Sequence, residues 1–193
     1  MNSAQSHPQS FTAKTDKHPD PFALFNAFAH ERHGACFCDP ELAFVRLELK
    51  AVAALWREKA GPRPMPLRDD LDARSLKPFL PNMTLIERVA AVGHRYRLRL
   101  HGTSLTHYAG DHTGHFVEEM IPPEMAVSYT GIYDLALAEG RPLRVVWDYQ
   151  VPAISYLKGE SFLAPLMAKD GSANLLLSVT YAEAKSHAAT RTG

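Results

Sequence analysis

RYRLRLHGTSLTHYAGDHTGHFVEEMIPPE, residues 95–124, is the stretch whose reading decides the fold. It opens on strict alternation, with Tyr96, Leu98 and Leu100 to one side and Arg97, Arg99 and His101 to the other. A period of two is the mark of a half-buried strand. Gly102-Thr103 ends that strand, Leu105 and Tyr108 fit a short helical turn, and Gly110-Asp111 interrupts the chain again. Thr113-Gly114-His115-Phe116 then leads into a loop that closes at Pro122-Pro123.

Working outward, residues 83–88 read as a second strand, and the short link 90–94 with Gly93 makes the pair a hairpin. On the other side, Pro123 and Glu124 start a helix that runs to Glu139 and is closed by Gly140 and Pro142. Its apolar stripe is Met125, Tyr129, Ile132, Tyr133 and Ala136. Three strands follow, at 143–151, 157–166 and 175–182, the last two separated by the turn Lys169-Asp170-Gly171-Ser172. Two strands, helices and three strands predict an α+β fold, a five-stranded antiparallel sheet with helices on one face.

This order of elements resembles a PAS domain. It is most similar to a bacterial family of single, divergent PAS-like domains whose core reads R-x-R-(LI)-x-G-T followed by G-(RD)-x-T-G. Tyr96 to Leu100, Gly102-Thr103 and Gly110 to Gly114 carry the match, and the resemblance spans roughly 55–182.

Upstream of the core, residues 1–19 are polar and without period and read as a disordered tail. Asp20-Pro21 then caps a helix with Phe22, Phe25, Phe28 and Ala29 at helical spacing. Asp39-Pro40 repeats the signal, and Leu42, Val45, Leu49, Val52, Ala53 and Trp56 form one face of a helix to Lys59, stopped by Gly61-Pro62. Residues 20–61 thus predict an N-terminal helical extension, 62–184 the PAS-like domain and 185–193 a tail. Within the domain, 62–67 is an extended connection and 69–79 a short helix capped by Asp69 or Asp70, with Leu71, Leu76 and Phe79 apolar. In PAS proteins a helix before the core packs on the sheet or pairs with a second subunit, so the resemblance implies a homodimer through this helix.

Composition sets limits. The 21 Lys and Arg balance 21 Asp and Glu, which argues against bulk attraction to nucleic acid or an anionic membrane. No apolar run approaches the roughly 20 residues of a membrane helix. The first residues have neither the apolar nor the basic region of a secretory signal. Cys36 and Cys38 stand too close together for a disulfide, and the cytoplasm is the expected compartment.

The candidate ligand site lies between the sheet and the helix at 123–139, where the resemblance places the ligand or cofactor of PAS domains. Tyr96, Leu98, Tyr108, Phe116, Tyr129, Ile132, Tyr133, Trp147, Tyr149 and Ser178 would surround it. Pockets are mostly apolar with a few orienting polar groups, and the same side chains also suit a filled core. His101, His107, His112 and His115 cluster in sequence, but helix 123–139, the source of haem ligands in some PAS domains, has no histidine. His101 falls on the outward parity of its strand. Flavin chemistry in light-sensing PAS domains uses a cysteine, and both cysteines here precede the core. The cofactor is therefore unknown.

Three other chemistries were weighed. His30, His33, Cys36 and Cys38 are zinc-type donors, but one compact run strains tetrahedral geometry, and no metal is expected. No hydrolase, P-loop, zincin or dinucleotide motif is present, so no catalytic residue is assigned; the alternative is a small-molecule enzyme with a base drawn from His107, Asp111, His112 and His115. Arg88, Arg95, Arg97 and Arg99 make a small basic stripe that Glu87, Asp148 and Glu160 would neutralise, so no nucleic-acid partner is expected. The reading that remains is a non-catalytic sensory domain that binds a small molecule or a signalling protein. A structural adaptor with a filled core is the other alternative.

Overall fold

Phe162–Leu166 and Leu175–Val179 are apolar at nearly every position, with no alternation. Such strands must be covered on both faces of their sheet. The computed structural model, which describes residues 19–31, 36–91, 94–148 and 155–185, meets that demand with two helical layers. All but Pro19 and Lys185 of the two predicted tails lie outside the described residues.

Six antiparallel strands form one sheet: β1 (Cys36–Asp39), β2 (Met83–Ala91), β3 (His94–His101), β4 (Leu143–Asp148), β5 (Leu157–Met167) and β6 (Ala173–Ala184). Their order across the sheet is β1-β4-β5-β6-β2-β3. The five predicted strands are all there, and the sixth, β1, adds one edge.

One face carries α1 (Pro21–Glu31), α4 (Thr103–Ala109), α5 (Val117–Met120) and α6 (Pro123–Glu139). Beneath α6, Ile132, Ala136, Leu143, Val145, Leu163 and Leu176 form a closed core. The opposite face carries α2 (Leu47–Ala60) and α3 (Ala73–Leu76), over Phe162, Ala164, Leu177 and Val179. Of the predicted extension, α2 thus joins the second layer, while α1 lies on the first face and β1 at the sheet edge. Leu49 and Val52 of α2 are fully buried and Trp56 nearly so, which uses up the stripe expected to pair subunits.

Three local readings are corrected. Asp39-Pro40 does not start a helix: Asp39 ends β1, its carboxylate accepts the Glu41 and Ala43 N–H groups, and the loop runs on to Leu47. Val45 is consequently 77% exposed. Second, Cys36–Asp39, inside the predicted helical extension, is a strand in which Cys36 and Cys38 face the core while Phe37 faces out. Its open edge is closed by a side chain, since the Asn26 amide accepts from the Cys38 N–H and donates to the Cys38 carbonyl, both at 2.8 Å. A free strand edge invites pairing with another chain, and the amide of α1 blocks it. Third, α3 is capped by Asp72, whose carboxylate accepts from Arg74 and Ser75 at 2.8 Å.

The basic stripe is paired off. Glu87 holds both Arg97 and Arg99, at 2.7 and 3.0 Å. Asp134 on α6 takes Arg95 at 2.5 Å and stands 3.8 Å from Arg88. Of the other two expected partners, Asp148 pairs with Lys185 and Glu160 with Arg144.

Candidate ligand cavity

A strand bulge creates the site. β2 and β3 pair Ile86 with Leu98 but Leu85 with Leu100, so Arg99 is the extra residue. One extra residue reverses the facing of everything beyond it. Leu98 keeps the predicted side, Leu100 crosses to the α2 side, and His101 turns in opposite Thr84. The outward parity expected for His101 is thereby overturned. Gly102 then lets the chain leave the sheet, because a Cβ there would stand 2.4 Å from the Leu80 and Pro81 carbonyl oxygens. No larger residue fits that passage without moving backbone.

The loop after α4 is built against β3. Gly114 donates to the Leu98 carbonyl at 2.7 Å, and the Leu98 N–H donates to His115 at 3.0 Å. This pairing covers the edge of β3 and brings His112 alongside His101, ring centres 5.8 Å apart and nearly perpendicular. Between this loop, α4–α6 and the sheet lies a cavity of about 240 Å³.

Its floor is open because small side chains occupy successive inward positions of β6: Ser178, Thr180 and Ala182. Thr84 of β2 adjoins them, and Ile86, Leu98, Trp147 and Leu157 complete the sheet side. Leu105, Tyr108, Val117, Met120, Tyr129 and Tyr133 form the helical side. Tyr129 stacks on Trp147, centres 4.6 Å apart and planes 25° apart. Trp147 in turn donates its indole N–H to Ser161 at 2.7 Å, and Ser161 bonds Thr180 at 2.6 Å. This chain of bonds fixes the back wall.

The polar groups are few. Both ring nitrogens of His101 are buried and, beyond the nearby Leu105 backbone, make no hydrogen bond of ordinary geometry among the described residues. Burial, and then the neighbouring His112, hold its pKa below the ordinary 6.5, so the ring is neutral at pH 7. No Lys, Arg, Asp or Glu among the described residues lines the cavity.

Of the sequence candidates, Leu98, Tyr108, Tyr129, Tyr133, Trp147 and Ser178 meet around the cavity. Tyr96 does not: it is fully buried, donates its hydroxyl to Asp134 at 2.7 Å and sets its ring edge-on to Tyr133. Ile132 is sealed in the core under α6. Phe116 bridges Arg97 at the sheet edge. Tyr149 lies outside the described residues. Sequence reasoning missed His101, His112, Thr84, Thr180 and Ala182. The small-residue alternation at 178, 180 and 182 was the readable signal.

Of the alternative acid–base set, His112 lies edge-on between His101 and His115, ring centres 5.8 and 6.0 Å away. Asp111 spends its carboxylate on the Thr113 N–H, and His107 lies against Tyr108 on the exposed side of α4. Burial raises the Cys36 thiol to about 12, and the Cys38 thiol reaches about 12 by burial first and the Cys36 and Asp39 charges next. Both therefore stay protonated in the core, while His30 is exposed; His33 lies outside the described residues. Among the described residues no three His, Cys, Asp or Glu side chains are placed to hold a metal.

A family model described as PAS domain matches residues 46–180. The chain belongs to the PAS domain family. Its sheet, read from β3 through β2, β6, β5 and β4, is the domain's five strands, and β1 is an addition at the edge. PAS domains are modules of sensory and signalling type, and the cavity sits between this one's sheet and helices. A comparison with curated proteins found no match. No helix among the described residues is long and apolar enough to cross a membrane.

Proposed function

We propose that this PAS domain is a non-catalytic sensor, binding a small molecule in the cavity and passing the event to a signalling protein through α6 and α1. One observation carries the reading. Tyr129 and Tyr133 point from α6 into the cavity, while Gly131 between them faces Phe25 of α1. A Cβ on Gly131 would stand 3.3 Å from the Phe25 ring, so the two helices are in close contact at that turn. A ligand that moves the tyrosines moves the same turn that α1 rests on. It shifts the packing only by as much as its affinity differs between the two arrangements.

Self-association would use Phe37, Val45 and Leu47, which are 52, 77 and 76% exposed, rather than the buried stripe. Protonated, unpaired thiols at Cys36 and Cys38 suit a reducing compartment, in keeping with a cytoplasmic site. Hydrogen exchange on ligand-loaded and ligand-stripped protein tests the proposal. Exchange in α1 and α6 is expected to change together on loading, with α2 unaffected. Protection confined to the cavity wall, with α1 unchanged, would sink the relay.

A further inference from the structure

The lining itself says what kind of molecule the cavity accepts. Resting on the reading that it is a ligand site, we infer that its ligand is an uncharged aromatic molecule of about ten non-hydrogen atoms whose one polar group bonds His101. The size follows from volume: an apolar cavity of about 150 Å³ accepts benzene, and this one has about 240 Å³. That is below the roughly 300 Å³ at which pockets for drug-sized ligands begin, and too small for a tetrapyrrole or a complete flavin.

Charge is excluded by the partners on offer. An ion taken out of water must find a counter-charge or a dense set of hydrogen bonds. Among the described residues the lining offers neither Lys, Arg, Asp nor Glu; of its two histidines, burial lowers the pKa of His101, and His112 Nε2 lies 2.7 Å from the Ala109 carbonyl oxygen. Ring character follows from the walls. Tyr108, Tyr129, Tyr133 and Trp147 face the space with the Met120 thioether, surfaces that gain from aromatic geometry beyond simple area.

His101 fixes the polar end. Both its ring nitrogens are buried, and beyond the nearby Leu105 backbone neither makes a hydrogen bond of ordinary geometry among the described residues, so one stays short of a partner until something in the cavity bonds it. A neutral imidazole offers one donor and one acceptor, so a hydroxyl or a ring N–H on the ligand serves equally.

Calorimetry and thermal shift with four probes test this: 2-naphthol, naphthalene, 2-naphthoate and 1-decanol. In the wild type, 2-naphthol is expected to bind about tenfold tighter than naphthalene, the worth of one buried hydrogen bond. It should exceed 2-naphthoate by at least that factor and also exceed 1-decanol. In His101→Leu, 2-naphthol should fall to within about twofold of naphthalene, because the group it bonded is gone. The variant itself should melt no lower than the wild type, since it removes a buried nitrogen short of a partner. Tighter binding of 2-naphthoate or 1-decanol would overturn the ligand class while leaving the cavity a ligand site. Equal wild-type affinities for naphthalene and 2-naphthol, or an undiminished preference in His101→Leu, would overturn the role of His101. Silence from all four probes up to about 1 mM would overturn the class and the ligand-site reading together.

Discussion

Replacing Trp56 by alanine is expected to cost about 3–5 kcal/mol of folding stability, and to lower the melting temperature by roughly 10 °C in a domain of this size. Trp56 is only 3% exposed, and it anchors α2 to the sheet in two ways. Its ring fills the layer over Phe162, Ala164 and Leu166, beside Leu49 and Val52. Its indole N–H also donates to the Pro165 carbonyl at 3.0 Å. That proline sits in β5 beyond Leu163, where the pairing with β4 has stopped, so the strand tolerates a residue without an N–H there. Trp56→Phe keeps most of the ring and loses the bond, and should cost about 1–2 kcal/mol. Urea unfolding of the two variants separates packing from hydrogen bonding. Equal losses would mean that the ring contributes little beyond its N–H.

The second large effect lies at Glu160, where Glu160→Ala is expected to cost about 3–5 kcal/mol. Its carboxylate accepts Arg144 Nε at 2.5 Å, the Val45 N–H at 2.9 Å and the Arg46 N–H at 3.2 Å. It thus ties β5, β4 and the loop before α2 at one point. Arg144 also reaches Asp39 at the end of β1. Removing Glu160 leaves a mostly buried guanidinium and two backbone donors short of partners.

Burial alone would raise the pKa of Glu160, but the Arg144 bond and the two backbone N–H groups outweigh it, and the value is lowered from the ordinary 4.5. The sign of the pH dependence follows. A lowered folded pKa gives stability that is complete above the ordinary carboxylate range and is lost as pH falls through the depressed value. Glu160→Gln should therefore be less stable than wild type at pH 7, with the gap closing as the pH drops below 4.5. A gap that stayed constant through that range would show that the charge is not what Glu160 contributes.

How much of this was legible beforehand differs from element to element. Helix α6 was readable at both ends, because Pro123 opens it and Gly140 closes it with φ of 63°, the left-handed region where glycine is favoured. The β2–β3 hairpin was readable because its partners are neighbours in sequence. Strand β1 was not: four residues carry little periodicity, and its pairing partner β4 lies over a hundred residues away. The stripe of α2 was read correctly at Leu49, Val52 and Trp56 and misplaced at Val45, because Glu160 fixes the preceding loop from a distant strand.

The cavity shows the same division. Side chains whose facing follows from an unbroken period, such as Leu98, Tyr129, Tyr133 and Trp147, were found. His101 was missed because alternation carries no mark of the bulge at Arg99, which sits between two register pairs. Tyr96 and Ile132 share the right stripe but lie on its sealed part. Depth along a stripe depends on what packs above it, and for Tyr96 that is Asp134 and Tyr133.

Native mass spectrometry of the purified protein, compared with the same sample denatured, shows whether the cavity is a ligand site. An added mass is expected that disappears on denaturation, is small enough for a molecule of about ten non-hydrogen atoms, and is absent when Ser178→Phe fills the floor of the cavity in a protein that still folds. A mass retained unchanged by the Ser178→Phe variant would place the ligand elsewhere. A bare wild-type spectrum that stays bare after incubation with 2-naphthol would contradict the claim.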